Sequence, residues 1–199
     1  MLDLLVLLTA FGAVFIGELP DKTAVACLVL GARYRPLPVL LGVCAAFGVH
    51  VVLAVAAGGL VAALPQRPVA AATAVLFLIG AAVLLRSNPD DAIAEGEREA
   101  ASISGPRDFG RTLAGSFGVV LLAEFGDLTQ ILTATLAARF DDPVSVGLGA
   151  ALALWFVALL AIVFGRRLLV VVPLRRVQQV AALLLVALAV HSLYDVAVA

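Results

Sequence analysis

Hydrophobic positions along this chain show neither the stripe of a surface helix nor the alternation of a half-buried strand. They run on unbroken until a charged or proline-rich break stops them, as in 4–17, 37–64, 68–85 and 144–165, which hold no charged residue. A helix that spans a bilayer needs about 20 predominantly apolar residues. Read that way, the pattern predicts six transmembrane helices at 4–31, 37–63, 68–86, 112–138, 144–165 and 177–197. Between the third and fourth lies the one long hydrophilic segment, with Asp90, Asp91, Glu95, Glu97, Arg98, Glu99, Arg107 and Asp108. The expected organisation is therefore an all-α integral membrane protein with a three-helix unit over 1–86, an acidic cytoplasmic loop over 87–111 and a second three-helix unit over 112–199.

The two units resemble each other. A shift of 106 residues lays Glu18, Asp21 and Thr23 on Glu124, Asp127 and Thr129, Arg33 and Tyr34 on Arg139 and Phe140, and Gly59 on Gly165. Three spans per unit is an odd number, so the second copy lies upside down relative to the first, giving two inverted three-helix repeats. Secondary transporters built this way place their site near the bilayer midplane, between the repeats.

Composition sharpens the class. Of 199 residues, 63% are hydrophobic and 14% charged, against about 45–50% and 25% in soluble domains. With a net charge of −1 no nucleic-acid partner is expected, and the lipid bilayer is the expected surroundings. Cys27 and Cys44 both fall inside apolar spans and do not read as a disulfide framework. No Lys or Arg precedes Lys22, so the first span is expected to stay in the mature protein rather than act as a signal peptide. With the N-terminus outside, the inner loops hold Arg33, Arg35, Arg86, Arg98, Arg107, Arg111, Arg166, Arg167, Arg175 and Arg176, and the outer loops only Arg67 and Arg139. The positive-inside rule then puts both termini outside a bacterial-type inner (plasma) membrane.

Two short motifs carry the chemistry. The first reads Gly17-Glu18-Leu19-Pro20-Asp21-Lys22-Thr23, the second Ala123-Glu124-Phe125-Gly126-Asp127-Leu128-Thr129-Gln130. Each sits at the centre of its span, where a carboxylate costs about 2.5–3.5 kcal/mol and is normally kept for a working role facing the bundle interior. Carboxylates three residues apart share a helix face. Lys22 is the one cation at that depth and cannot neutralise Glu18, Asp21, Glu124 and Asp127 together. Pro20 and Gly126 occupy equivalent places and are expected to break both helices, freeing backbone carbonyls. In a continuous helix Thr23 would point about 200° from Asp21, and an unwound turn returns its hydroxyl to the site; back-bonding to a helix carbonyl is the alternative. Gln130, three residues after Asp127, shares its face and offers an amide oxygen, with helix packing as the alternative.

All these donors are hard oxygens, which suit Mg²⁺, Ca²⁺ and Mn²⁺ rather than Zn²⁺ or Cu⁺. Four clustered carboxylates repel one another, so protons and a divalent cation compete for them, which is the physical basis of antiport.

The duplicated pattern Glu-x-Gly-Asp-(Lys/Arg)-(Thr/Ser), one copy in each half around an acidic loop, resembles the calcium/manganese cation:proton antiporter family, which includes Golgi manganese and calcium transporters and bacterial manganese exporters. The resemblance implies that Glu18, Asp21, Glu124 and Asp127 bind the cation, with Thr23, Thr129, Gln130 and Lys22 supporting cation binding or proton coupling. It implies no catalytic residue and no resident cofactor, only transported Mn²⁺ or Ca²⁺ and H⁺, and it is compatible with a homodimer. Pro20 and Leu128 depart from the pattern, the first where Gly is usual and the second where a basic residue is. Chain size and short loops are closest to the manganese-exporting members.

Weaker signals are His50 in the second span and His191 with Asp195 one turn beyond in the sixth, candidates for a proton path or for ordinary interfacial pairing, and Cys27, a soft ligand or simple packing. Trp155 reads as packing, and the 90–99 run as a solvated loop that could draw cations to the cytoplasmic mouth. Three other readings are a channel, an intramembrane hydrolase using a carboxylate dyad, for which a symmetric four-carboxylate site is superfluous, and a non-transporting assembly or docking protein.

Overall fold

The computed structural model describes residues 2–19, 21–86, 88–102, 108–164 and 174–198; of these, the side chains of 66, 89, 92, 174 and 195–198 are left aside. Pro20 and Gly165 thus lie outside the described residues, as does the side chain of Asp195. Every regular element among the described residues is a helix: α1 (Leu4–Glu18), α2 (Lys22–Arg33), α3 (Pro36–Ala62), α4 (Gln66–Arg86), α5 (Pro89–Ala101), α6 (Phe109–Ala123), α7 (Leu128–Phe140), α8 (Pro143–Phe164) and α9 (Leu174–Val198). Four helices are long and apolar enough to cross a membrane. The remaining two spans are broken: α1 and α2 meet at 75°, α6 and α7 at 73°. Counting each bent pair as one crossing gives six crossings, with both ends of the chain on the membrane face opposite the 87–108 connection.

Local sequence explains where helices start. Asp3 caps α1 by accepting from the Leu5 and Val6 amides, and Asp108 caps α6 through Arg111 N–H. Pro36 and Pro143 open α3 and α8, where a missing amide hydrogen costs nothing.

Packing repeats the sequence duplication with the partners exchanged. Helix α1 lies on α8 and α6 on α3, α2 lies on α8 and α7 on α3, and α3 and α8 meet in the middle. Two glycines set the closest approaches. A Cβ at Gly149 would collide with the Leu7 carbonyl oxygen, Ala10 and Phe11; a Cβ at Gly42 would collide with the Leu113 carbonyl oxygen, Ser116 and Phe117. The shift of 106 carries Leu7, Ala10 and Phe11 onto those last three residues. Small residues that let backbones touch are the usual means of joining helices in lipid. Trp155 of α8 adds a hydrogen bond to the Cys44 carbonyl of α3, 3.0 Å long. Helices α4 and α9 pair on each other at the periphery, and Val75, Ile79, Val83, Leu183 and Val190 on them are exposed, as suits side chains that face lipid.

The acidic loop departs from expectation. Residues 89–101 form α5, which docks on α2. Its start is capped by the Asn88 side chain, Pro89 is at its first position, Asp90 and Asp91 lie in the first turn and Arg98 in the last, each favourable to the helix dipole. Its inner face is small: Gly96 and Ala100 are buried.

Candidate functional site

The two breaks meet at the centre of the bundle. Glu18 is the last residue of α1 and Asp21 the N-cap of α2; Glu124 is the C-cap of α6 and Asp127 the N-cap of α7. Each half-site thus sets a glutamate at a carbonyl end, where the helix dipole favours a cation, and an aspartate at an amide end, where it favours the carboxylate. The second break turns through Gly126 at φ +81°, a left-handed geometry for which glycine is suited. The first spans the two residues between Glu18 and Asp21, including Pro20.

One carboxylate oxygen from each of Glu18, Asp21, Glu124 and Asp127 lies within 4.8 Å of the others. Oxygens on opposite sides of a bound ion are separated by twice the metal–oxygen distance, about 4.6–5.2 Å for Ca²⁺ and about 4.0–4.2 Å for Mg²⁺, so the cluster has the dimensions of one divalent site. Glu18 and Glu124 are buried, Asp21 and Asp127 half-buried. Both carboxylate oxygens of Glu18 and Oε2 of Glu124 are buried, with the Thr129 hydroxyl beside Glu18 and no donor on Glu124 Oε2 among the described residues. An ionised carboxylate only accepts, so these atoms call for a cation or a proton.

Thr23 and Thr129 lie in the first turns of α2 and α7, beside the cluster. Thr23 crosses between repeats and donates its hydroxyl to Glu124 Oε1, while its amide reaches Asp21 Oδ2 at 3.4 Å. Thr129 does the same in the other direction: its hydroxyl lies beside the Glu18 carboxylate of the first repeat, and 3.5 Å from Asp127 Oδ2 in its own. Gln130 has a different arrangement. Its amide oxygen accepts the Gly126 N–H at 2.9 Å and its Nε2 meets His50 Nδ1, so it ties the turn to α3. His50 is buried with the Val120 and Leu121 backbone beside its ring, and it lines a cavity with Phe47, Glu124, Thr129, Gln130 and Thr133.

Lys22, expected to support cation binding or proton coupling, forms no ion pair with the four carboxylates, although its backbone N–H reaches Asp21 and its charge acts on Glu124. It pairs with Glu95 at 3.3 Å and Glu99 at 3.5 Å on α5. Its counterpart Leu128 packs where a Cβ on Gly80 of α4 would stand, next to Leu185 of α9; an apolar residue there suits the lipid-facing pair. Cys27 is buried in the apolar core outside the carboxylate cluster, and His191 meets Arg139, so neither histidine is part of the cluster. Sequence reasoning missed Glu95 and Glu99, whose signal was the capped helix start at Asn88-Pro89 and the small face at 96 and 100.

The sequence profile of the divalent cation/proton antiporter GDT1 family matches this chain twice, over residues 6–92 and 112–198. The chain belongs to that family. The two matches coincide with the two repeats, and each contains one Glu/Asp pair of the cluster. A GDT1-like protein of Synechocystis sp. is 33% identical over 178 residues, covering 80% of this chain and 84% of the relative. No solved structure matches the chain. Family membership makes this a multi-pass membrane transporter of divalent cations.

Proposed function

We propose that the chain is a secondary active, proton-coupled exporter of Mn²⁺ that works by alternating access in the plasma membrane, with both termini outside, and that Ca²⁺ is the alternative cargo. Glu18, Asp21, Glu124 and Asp127 bind the cation, and protons occupy the same oxygens when it leaves. The observation that carries this reading is the cluster of four carboxylates from the two breaks, two of them buried, set closely enough to share one ion. The donor set is all oxygen, which favours a hard divalent ion. Thr23 links the half-sites by holding Glu124 from the other repeat, so a rocking motion of the repeats would alter the cage as it alters access. Ca²⁺ stays in view because its oxygen cage matches the span of the cluster.

The test is flux in proteoliposomes with a trapped Mn²⁺-sensitive dye and a pH dye read together. Under an imposed proton gradient, Mn²⁺ and H⁺ should move in opposite directions, and Asp127→Asn should abolish both. A Ca²⁺ competition series ranks the ions. Cation flux without proton movement would establish a channel, and no flux from folded protein would favour a docking role.

A further inference from the structure

Helix α5 is a polar helix in an unusual place. It carries Asp90, Asp91, Glu95, Glu97 and Glu99, yet it lies against α2 at its first turn, immediately after the site residue Asp21. The contact is close: a Cβ on Gly96 would stand 2.5 Å from the Lys22 carbonyl oxygen, 2.8 Å from Val25 Cβ and 2.9 Å from the Ala26 amide nitrogen. Val25 and Ala26 are buried beneath it. What holds α5 there is a glycine, an alanine and the two ion pairs of Lys22, and pairs of this kind are weak and easily exchanged for water. The equivalent turn of the other repeat is covered differently, by Gly80 and Leu185 of the lipid-facing α4 and α9 meeting Leu128. That cover is apolar and belongs to membrane spans. The first half-site has a polar cover, the second an apolar one.

We propose that Gly96, Glu95 and Glu99 are gating residues of transport: α5 closes the first half-site on the face of the 87–108 connection, Lys22 latches it there, and release of the latch opens the site to that face. This rests on the transport reading above. It accounts for the ion pairs of Lys22 going to α5 while its charge still acts on Glu124, and for Leu128 in the second repeat, which meets the apolar α4 and α9 instead.

The experiment uses full-length protein with Cys27→Ala and Cys44→Ala, in proteoliposomes. In a Val25→Cys/Gly96→Cys pair, lifting α5 by about 1 Å brings the two Cβ atoms to the disulfide spacing of about 3.8 Å. Oxidation should reduce flux to the leak level and reductant should restore it, each protein being compared with its own reduced form. Oxidant should not change the flux of either single-cysteine protein, whatever level Gly96→Cys itself sets by pressing on the Lys22 carbonyl; restoration separates a closed gate from a misfolded protein. In a second arm, Val25→Cys alone is labelled with an impermeant maleimide from the α5 face, and adding Glu95→Gln and Glu99→Gln should speed labelling about tenfold. Cross-linked protein that transports at the reduced rate, a pair that never cross-links, or unchanged labelling would each overturn the proposal. A parent protein without flux overturns the transport reading instead, and the labelling arm then decides alone whether α5 lifts.

Discussion

Glu18→Gln isolates what the cluster does. Glu18 is fully buried with the Thr129 hydroxyl beside its carboxylate, so the amide fits the same volume and keeps an acceptor for that hydroxyl while the charge goes. Two ionised carboxylates 4.8 Å apart repel by about 3.5 kcal/mol at an effective dielectric near 20, a repulsion that protons relieve in the empty protein and the cation relieves in the filled one. The substitution should therefore leave the empty protein as stable as the parent or more so, and remove most of its stabilisation by cation. At a free cation concentration of 100 Kd the parent gains about 2.7 kcal/mol, which for a chain of this size raises the thermal midpoint by about 5–11 °C. The assay is thermal unfolding of detergent-solubilised protein with and without Mn²⁺, followed by tryptophan fluorescence from Trp155. A variant that keeps the full cation-induced rise would refute the assignment of Glu18 as a ligand; one that unfolds well below the parent without cation would refute the view that its charge is a burden in the empty site.

Four further outcomes are expected. Cation affinity should weaken as pH falls, because protons compete for the same oxygens; calorimetric titrations at several pH values should show log Kd rising by one for each proton displaced per pH unit of acidification. Gln130→Ala removes the acceptor of the exposed Gly126 N–H, a hydrogen bond worth about 0.5–1.5 kcal/mol, and should weaken cation binding, whereas Gln130→Glu keeps an acceptor and should retain the turn, read by the cation-induced midpoint shift. Gly149→Leu forces α1 off α8 and should lower stability by 1–3 kcal/mol or more, while Gly12→Ala, with open space around it, should have little effect in the same unfolding assay. Leu128→Lys, although it restores the family's basic residue, sets a charge between Gly80 and Leu185 and should reduce the yield of folded protein on size-exclusion chromatography.

The spans and the four carboxylates were legible because both rest on strong local signals: long apolar runs, and charge where charge is costly. The breaks were legible from Pro20 and Gly126, and the inverted repeat from matched spacing, which the exchanged contacts of Gly42 and Gly149 reproduce. What escaped was tertiary. Nothing local says that Lys22 turns from the carboxylates towards α5, because its partners lie 73 residues and more along the chain and their acidity is equally that of a solvated loop. Gln130 offered an amide with two uses, and only the position of the Gly126 N–H decides between them.

That last contact explains a further difference between the repeats. Pro20 and Gly126 hold equivalent positions, and so do Ala24 and Gln130. A glycine in the break presents an amide hydrogen that the helix leaves unpaired, and Gln130 supplies its acceptor, braced by His50. A proline has no amide hydrogen, so the first repeat needs no such acceptor, and an alanine suffices at 24. The two substitutions are one change made in two places. Together with the exchange of Lys22 for Leu128, they give a duplicated ion cage two unequal walls: one turn tied by side chains to α3 and backed by the apolar α4 and α9, the other covered by a polar helix. An antiporter must open its site to one face at a time, and a cage of near-symmetric ligands with unequal restraints supplies the difference between its two sides without altering the chemistry that binds the ion.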